Sequence, residues 1–147
     1  MTTGDARPRL LDVNVLVSLA LQSHVHHRAA HAALAEMTAW ATTPLTEAGL
    51  VRLLLNPTVA GEAFSMADVR PILIGMRSEQ RWSLVADAVS FADSALELRT
   101  LQGHRLVTDF HLIDVAARSG MCLATFDASL VQALAPADRQ HVVVLPT

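Results

Sequence analysis

A chain of 147 residues, 52% hydrophobic and 17% charged, is long enough to bury a sizeable core, and its composition excludes disorder and low complexity. Its longest apolar runs fall short of the roughly 18 residues that a membrane span requires, and a single cysteine, Cys122, excludes an internal disulfide and a cysteine-built metal cluster. The formal net charge of −3, with eleven arginines and no lysine, argues against a general coat for nucleic acid, which carries a basic surplus.

In chain order, Arg9–Val13 reads as a first strand and Asn14–Leu21 as the start of a helix, with Asp12 near the strand's carboxyl end. Leu10–Leu21 follows Arg7 and Arg9 as a signal sequence would. Asp12 and Asn14 interrupt it and no A-x-A site follows, so a cytoplasmic protein is expected. The Ala-rich stretch His24–Thr38 reads as helical, and Trp40–Thr43 as a second strand. Thr43-Pro44 then supplies an N-cap and a proline at the first helical position for a helix through about Leu55, with Glu47 in its first turn. Asn56-Pro57 ends that helix, and Thr58–Phe64 reads as a loop. Ser65–Glu79 is expected to be helical, with Ser65 and Asp68 spaced as a capping box and Pro71 obscuring the true start. Arg81–Val85 follows as a third strand and Ser90–Leu101 as a helix.

The stretch VTDFHLIDVAARSGMCLATFD, Val107–Asp127, is the most informative. Thr108 is a good N-cap, Leu112, Ile113, Val115 and Ala116 recur at helical spacing, and Gly120 is a good stop. Met121–Thr125 then has the length and character of a buried strand. A helix of about 11 residues climbs roughly 16 Å, and a strand of about five returns nearly as far. Asp109 and Asp127, 18 positions apart, should therefore share one edge of a sheet. Ala128–Leu134 reads as a short helix and His141–Leu145 as a last strand. No repeat, linker or domain boundary interrupts the chain, so one domain over residues 1–147 is expected.

Strands alternating with helices imply a parallel sheet, and such sheets bind ligands outside the carboxyl ends of their strands. That rule collects Asp12, Glu47, Asp109 and Asp127 at one edge. Each alone has an ordinary explanation, as a first-turn acid favoured by the helix dipole or as a turn residue. Four converging carboxylates without a cation would repel one another. Oxygen-only ligands suit Mg²⁺ or Mn²⁺, which can activate a water, neutralise a phosphodiester under attack, and offset the absence of a basic surplus.

Three blocks, LLDVNVLVSLAL, PLTEAGLVRLLLNP and VTDFHLIDVAARSGMCLATFD, resemble in order and spacing those of the PIN-domain ribonucleases, and within them the VapC toxins of bacterial toxin–antitoxin pairs. The resemblance covers nearly the whole chain. It implies a PIN-like α/β three-layer sandwich, with a central parallel sheet of four to five strands flanked by helices. It further implies an endoribonuclease that cuts structured or single-stranded RNA, forms a homodimer and is silenced by a cognate VapB antitoxin. Asp12, Glu47, Asp109 and Asp127 would hold one or two Mg²⁺ ions (or Mn²⁺), and Asn14, Thr46 and Thr125 resemble the polar residues that flank them. Asp114 departs from the pattern, which has a small or apolar residue there. Five helix positions from Asp109 it points about 140° away, so an indirect or surface role is expected.

Arg52, five residues after Glu47, could orient a carboxylate or meet a phosphate, or lie on a solvated face. His27 and His31 have the i, i+4 spacing of zinc helices, but no nearby acid or cysteine completes a site. An exposed or loop-packing role for His24–His31 is favoured, although SHVHH also resembles a feature of one VapC branch and could lie near RNA. Trp40 and Trp82 adjoin strands and read as core rather than as base-stacking platforms. A phosphatase of the aspartyl-nucleophile type needs a second Asp at the position of Asn14. A Walker loop needs a lysine, and neither G-x-G-x-x-G nor G-x-S-x-G occurs. The remaining alternative is a non-catalytic PIN-like module that binds RNA or a partner.

Overall fold

The computed structural model describes residues 5–147. Five short strands, β1 (Arg9–Leu11), β2 (Trp40–Thr42), β3 (Trp82–Leu84), β4 (Cys122–Thr125) and β5 (Val142–Val144), pair in parallel in the order β3-β2-β1-β4-β5. The register places Leu10 opposite Ala41 and Leu123, and Leu123 opposite Val142. These four residues point to one face, where they bury Phe110, Leu112, Ile113 and Leu130. Leu11, Trp40 and Ala124 point to the other, against Val15, Leu16, Leu50, Leu54 and Val69. The period-2 alternation of each strand thus feeds two cores, one per face, giving the expected three layers around a parallel sheet.

Among the described residues, seven helices cover the sheet: α1 (Val13–Ala20), α2 (His27–Glu36), α3 (Pro44–Leu54), α4 (Pro57–Ala60), α5 (Met66–Arg77), α6 (Val107–Arg118) and α7 (Ala128–Ala133). None is long and apolar enough to cross a membrane. Helix α3 begins with Thr43 as N-cap and Pro44 at the first helical position, as expected, and Thr46 makes the cap reciprocal: Thr43 Oγ1 accepts from Thr46 N and Thr46 Oγ1 accepts from Thr43 N. At α5 the Asp68 carboxylate accepts from the Ser65 backbone, and Pro71 sits inside the helix rather than at its start. Helix α6 ends with Gly120 at φ 69° and a bond from Met121 N to Ala116 O, a left-handed C-terminal cap.

Four expected elements differ. Ser90–Leu101 is not a helix but two 3-10 turns, Phe91–Asp93 and Leu98–Thr100. Ser90, Ser94 and Glu97 side chains accept the backbone N–H two residues on, and Asp114 and Asp138 take those of Ala95 and Glu97. Side chains therefore capture the donors that a helical ladder would use. The loop expected at Thr58–Phe64 opens with α4, because Asn56 caps Thr58 N and Pro57 occupies the first helical position. Helix α2 starts at His27 rather than His24, since His24 Nδ1 takes the backbone N–H of His26. Helix α6 begins at Val107, with Leu106 at the cap position and no side-chain cap, so Thr108 lies inside the first turn.

Helices α1 and α3 approach closely. A Cβ on Gly49 would stand 2.8 Å from Val13 Cγ2, so the glycine allows the contact between the helix that follows Asp12 and the helix that carries Glu47.

Candidate active site

Strand β1 ends one residue before Asp12, which caps α1: its Oδ1 accepts from Val13 N at 2.7 Å. Oδ2 accepts from Thr125 Oγ1 at 2.8 Å and from Asn14 Nδ2 at 3.3 Å. Thr125 Oγ1 in turn accepts from Asn14 Nδ2 and Asp127 N, at 2.9 and 3.1 Å, and Asn14 Oδ1 accepts from Phe126 N. A hydroxyl has one hydrogen to give. With both its acceptor sites taken, Thr125 gives that hydrogen to Asp12. Asn14 and Thr125 thus tie the carboxyl ends of the adjacent strands β1 and β4 into one polar network.

Asp109, in the first turn of α6, is half-buried, and burial, followed by the charges of Asp12 and Asp127, raises its pKa to about 6. Asp12 is pushed upward by burial and by the charge of Asp127, against the hydrogen bonds from Thr125 and Val13. Three of the four acids are therefore in one another's electrostatic field at the carboxyl edge of the sheet. Asp127, which follows β4, is exposed and caps α7, its Oδ1 accepting from Ser129 N at 2.9 Å and Ser129 Oγ at 2.5 Å.

Glu47 lies at the same edge, in the first turn of α3, but faces a different partner. Its Oε1 accepts from Thr42 Oγ1 at 2.9 Å, and Thr42 Oγ1 accepts from Trp82 Nε1 at 2.9 Å. Neither Thr42 nor the indole N–H was legible as part of a site. Thr42 is a strand residue beside a cap, and Trp82 carries the composition of core.

Thr46 is buried in the α3 cap, its hydroxyl bonded to Thr43, so it acts on the position of the helix and not on a carboxylate. Arg52 is exposed and lines an apolar groove with Val13, Leu45, Gly49, Thr108 and Leu112, between the helices that carry Glu47 and Asp109. Asp114 is not on the surface: only 1% exposed, it accepts from Ala95 N and Arg118 Nε, anchoring the 3-10 segment to α6. A fifth acid, Asp87, was not anticipated. Its Oδ2 accepts from Leu45 N at the start of α3, and its buried Oδ1 stands 3.4 Å from His111 Nε2 of α6 with no hydrogen-bond partner among the described residues.

The histidines serve packing. His27 Nδ1 and His31 Nε2 meet the carbonyls of Ser18 and Leu19 at 2.8 and 3.1 Å, satisfying C-terminal groups of α1. His26 stacks on Phe126, centroids 4.7 Å apart. Among the described residues, no group of three or more His, Cys, Asp or Glu side chains is arranged to hold a metal ion as the side chains stand. The donor set itself fits a hard cation: Asp12, Asp109 and Asp127 are oxygen donors whose mutual repulsion a divalent ion would relieve.

Comparison with known proteins bears on this geometry. The family model of the PIN domain matches residues 9–134. Ribonuclease VapC38 of Mycobacterium tuberculosis is 46% identical over 127 residues, covering 82% of this chain and 86% of the relative. Ribonucleases VapC39 and VapC29 of the same organism are 43% and 38% identical, each over 82% of this chain and over 89% and 86% of the relative. Among solved structures, Mycobacterium tuberculosis VapC20, described as a sarcin–ricin-loop-cleaving toxin, superposes with a TM-score of 0.57. That match covers 85% of this chain and 94% of VapC20 at 12% identity, a likeness of fold. With the parallel sheet and the acids at its carboxyl edge, these matches place the chain in the PIN-domain family, among the VapC ribonucleases.

Proposed function

We propose that the protein is a metal-dependent endoribonuclease, the toxin of a toxin–antitoxin pair, that hydrolyses RNA phosphodiester bonds at the carboxyl edge of its sheet. The observation that carries this reading is the convergence of Asp12, Asp109 and Asp127, where burial and then the field of the other two carboxylates raise Asp109 to about 6. Such a field costs stability unless a cation compensates it. Asp12, Asp109, Asp127 and Glu47 would hold Mg²⁺ or Mn²⁺, which would supply Lewis acidity toward the attacking water and the phosphodiester charge. Thr125 and Asn14 hold the Asp12 carboxylate in one orientation, and Asp87 fixes the start of the helix bearing Glu47 through Leu45 N. Arg52, exposed in the groove between the helices that carry Glu47 and Asp109, is proposed to meet a substrate phosphate.

Water attack leaves the 2′-hydroxyl uninvolved, so products should carry a 5′-phosphate. Asp12→Asn and Asp109→Asn should abolish cleavage of a broad RNA pool in Mg²⁺ or Mn²⁺ while the variants stay folded. Equal degradation by wild type and both variants in EDTA would overturn the proposal, and RNA binding without cleavage under any metal would favour the non-catalytic alternative. The partners proposed are a VapB-type antitoxin and a second copy of the chain. Light scattering of the pure protein tests the dimer. Loss of cleavage on adding the product of an adjacent antitoxin gene tests the inhibitor.

A further inference from the structure

Glu47 is held differently from the other acids, and the difference lies in the direction of its hydrogen bonds. Thr42, the last residue of β2, is fully buried, and its hydroxyl stands between two partners: Glu47 Oε1 and Trp82 Nε1, both at 2.9 Å. An indole nitrogen can only donate. Trp82 therefore occupies a lone pair of the hydroxyl, and the single hydroxyl hydrogen is left for the carboxylate. Trp82 is itself fixed, since β3 pairs it in parallel register opposite Trp40 and the Arg77 guanidinium lies 5.0 Å from its ring centroid. The chain of bonds starts on the edge strand of the sheet, crosses β2 and ends on one oxygen of Glu47, leaving Oε2 uncommitted.

We infer that Thr42 and Trp82 are positioning residues for Glu47: the indole sets the polarity of the Thr42 hydroxyl, and the hydroxyl holds Glu47 in the rotamer that presents Oε2 to a divalent cation. This rests on the reading of Glu47 as a cation ligand. Partners that orient metal-ligating groups commonly change metal affinity by about 10- to 100-fold when removed. Thr42→Val keeps the shape of the side chain and removes the relay. Trp82→Phe keeps the hydroxyl and removes what orients it.

Mn²⁺ affinity, measured by calorimetry on the intact protein without RNA, is expected to fall on the order of tenfold in Thr42→Val, less in Trp82→Phe, and to return in Thr42→Ser. A second readout is spectroscopic. The chain has two indoles, and the Trp40 indole donates to Glu79, away from the site. On titration with diamagnetic Mg²⁺, the Trp82 indole N–H resonance should shift with saturation and the Trp40 resonance should not. Thr42→Val should abolish that shift. Glu47→Gln separates the two levels of the inference. If it leaves Mn²⁺ affinity unchanged, Glu47 is not a ligand and the underlying reading fails. If it weakens Mn²⁺ binding while Thr42→Val and Trp82→Phe bind like wild type and the Trp82 resonance ignores Mg²⁺, the relay is refuted. Should Thr42→Val fail to fold, the affinity of Trp82→Phe decides by itself.

Discussion

Asp109 shows most directly what the site does to a single residue. Burial and two neighbouring carboxylates raise its pKa to about 6, so the fold favours its neutral form. For a raised carboxylate the stability contribution is fully present below the unfolded value, near 3.8, and is lost as pH rises through about 6. Asp109→Asn mimics the neutral form. In EDTA its Tm, from thermal melts at several pH values, should match wild type near pH 4, exceed it increasingly up to about pH 6 and hold a constant advantage above that. A constant offset from pH 4 upward would mean the charge of Asp109 is unopposed. Asp127→Asn is the poorer probe, because Asp127 is exposed and its Oδ1 also caps α7 through Ser129, so a change in Tm there mixes charge with capping. Asp114 makes the opposite case: its carboxylate faces the Ala95 amide and Arg118 and not the acidic edge. Asp114→Ala would strip the Ala95 amide and Arg118 of their acceptor, at a cost of about 2 kcal/mol. Its Tm should fall by roughly 4–8 °C while activity per folded molecule is retained. A variant with normal Tm would show that the 3-10 segment is held by other contacts.

Among the elements, the pair α1 and α3 decides the relative position of Asp12 and Glu47. Glycine inside a helix costs about 1 kcal/mol relative to alanine, so Gly49→Ala would stabilise an unobstructed helix. Here the added methyl would meet Val13 Cγ2 at 2.8 Å, and a β-branched side chain has little rotameric freedom to retreat. Something must shift, and separation of the helices would carry the two acids apart. Gly49→Ala is therefore expected to show no rise in Tm and a loss of activity of about tenfold or more, since displacements near 1 Å can be that costly. A more stable, fully active variant would mean that the contact is slack. The histidines act at the same scale: His27 and His31 close the carboxyl end of α1, the helix whose first turn carries Asn14.

For the whole molecule, the proposed metal binding would be linked to folding. A cation that binds the folded chain at ten times its Kd adds about 1.4 kcal/mol, or roughly 3–6 °C in Tm for a chain of this size. Scanning fluorimetry in EDTA, Mg²⁺ and Mn²⁺ should show that gain in wild type and a smaller one in Asp12→Asn. A wild-type Tm indifferent to millimolar amounts of either ion would argue against a preformed cation site.

The alternation of short apolar strands with helices determined the parallel sheet by itself, because strand period and turn chemistry are local properties of the chain. Helix and strand lengths, with the rule that parallel sheets bind ligands at their carboxyl ends, also indicated the edge to which Asp12, Glu47, Asp109 and Asp127 go. What the tertiary structure decided is where donors and acceptors meet across long separations. Ser90–Leu101 has helical composition, yet its amides are taken by its own side chains and by Asp114 and Asp138. Thr42 and Trp82 are distant in sequence and meet only because β2 and β3 pair in one register. Asp114 is anchored inward because a distant loop offers it an amide. Local propensity cannot carry such information, since a hydrogen bond between remote residues exists only once the chain has brought them to within about 3 Å.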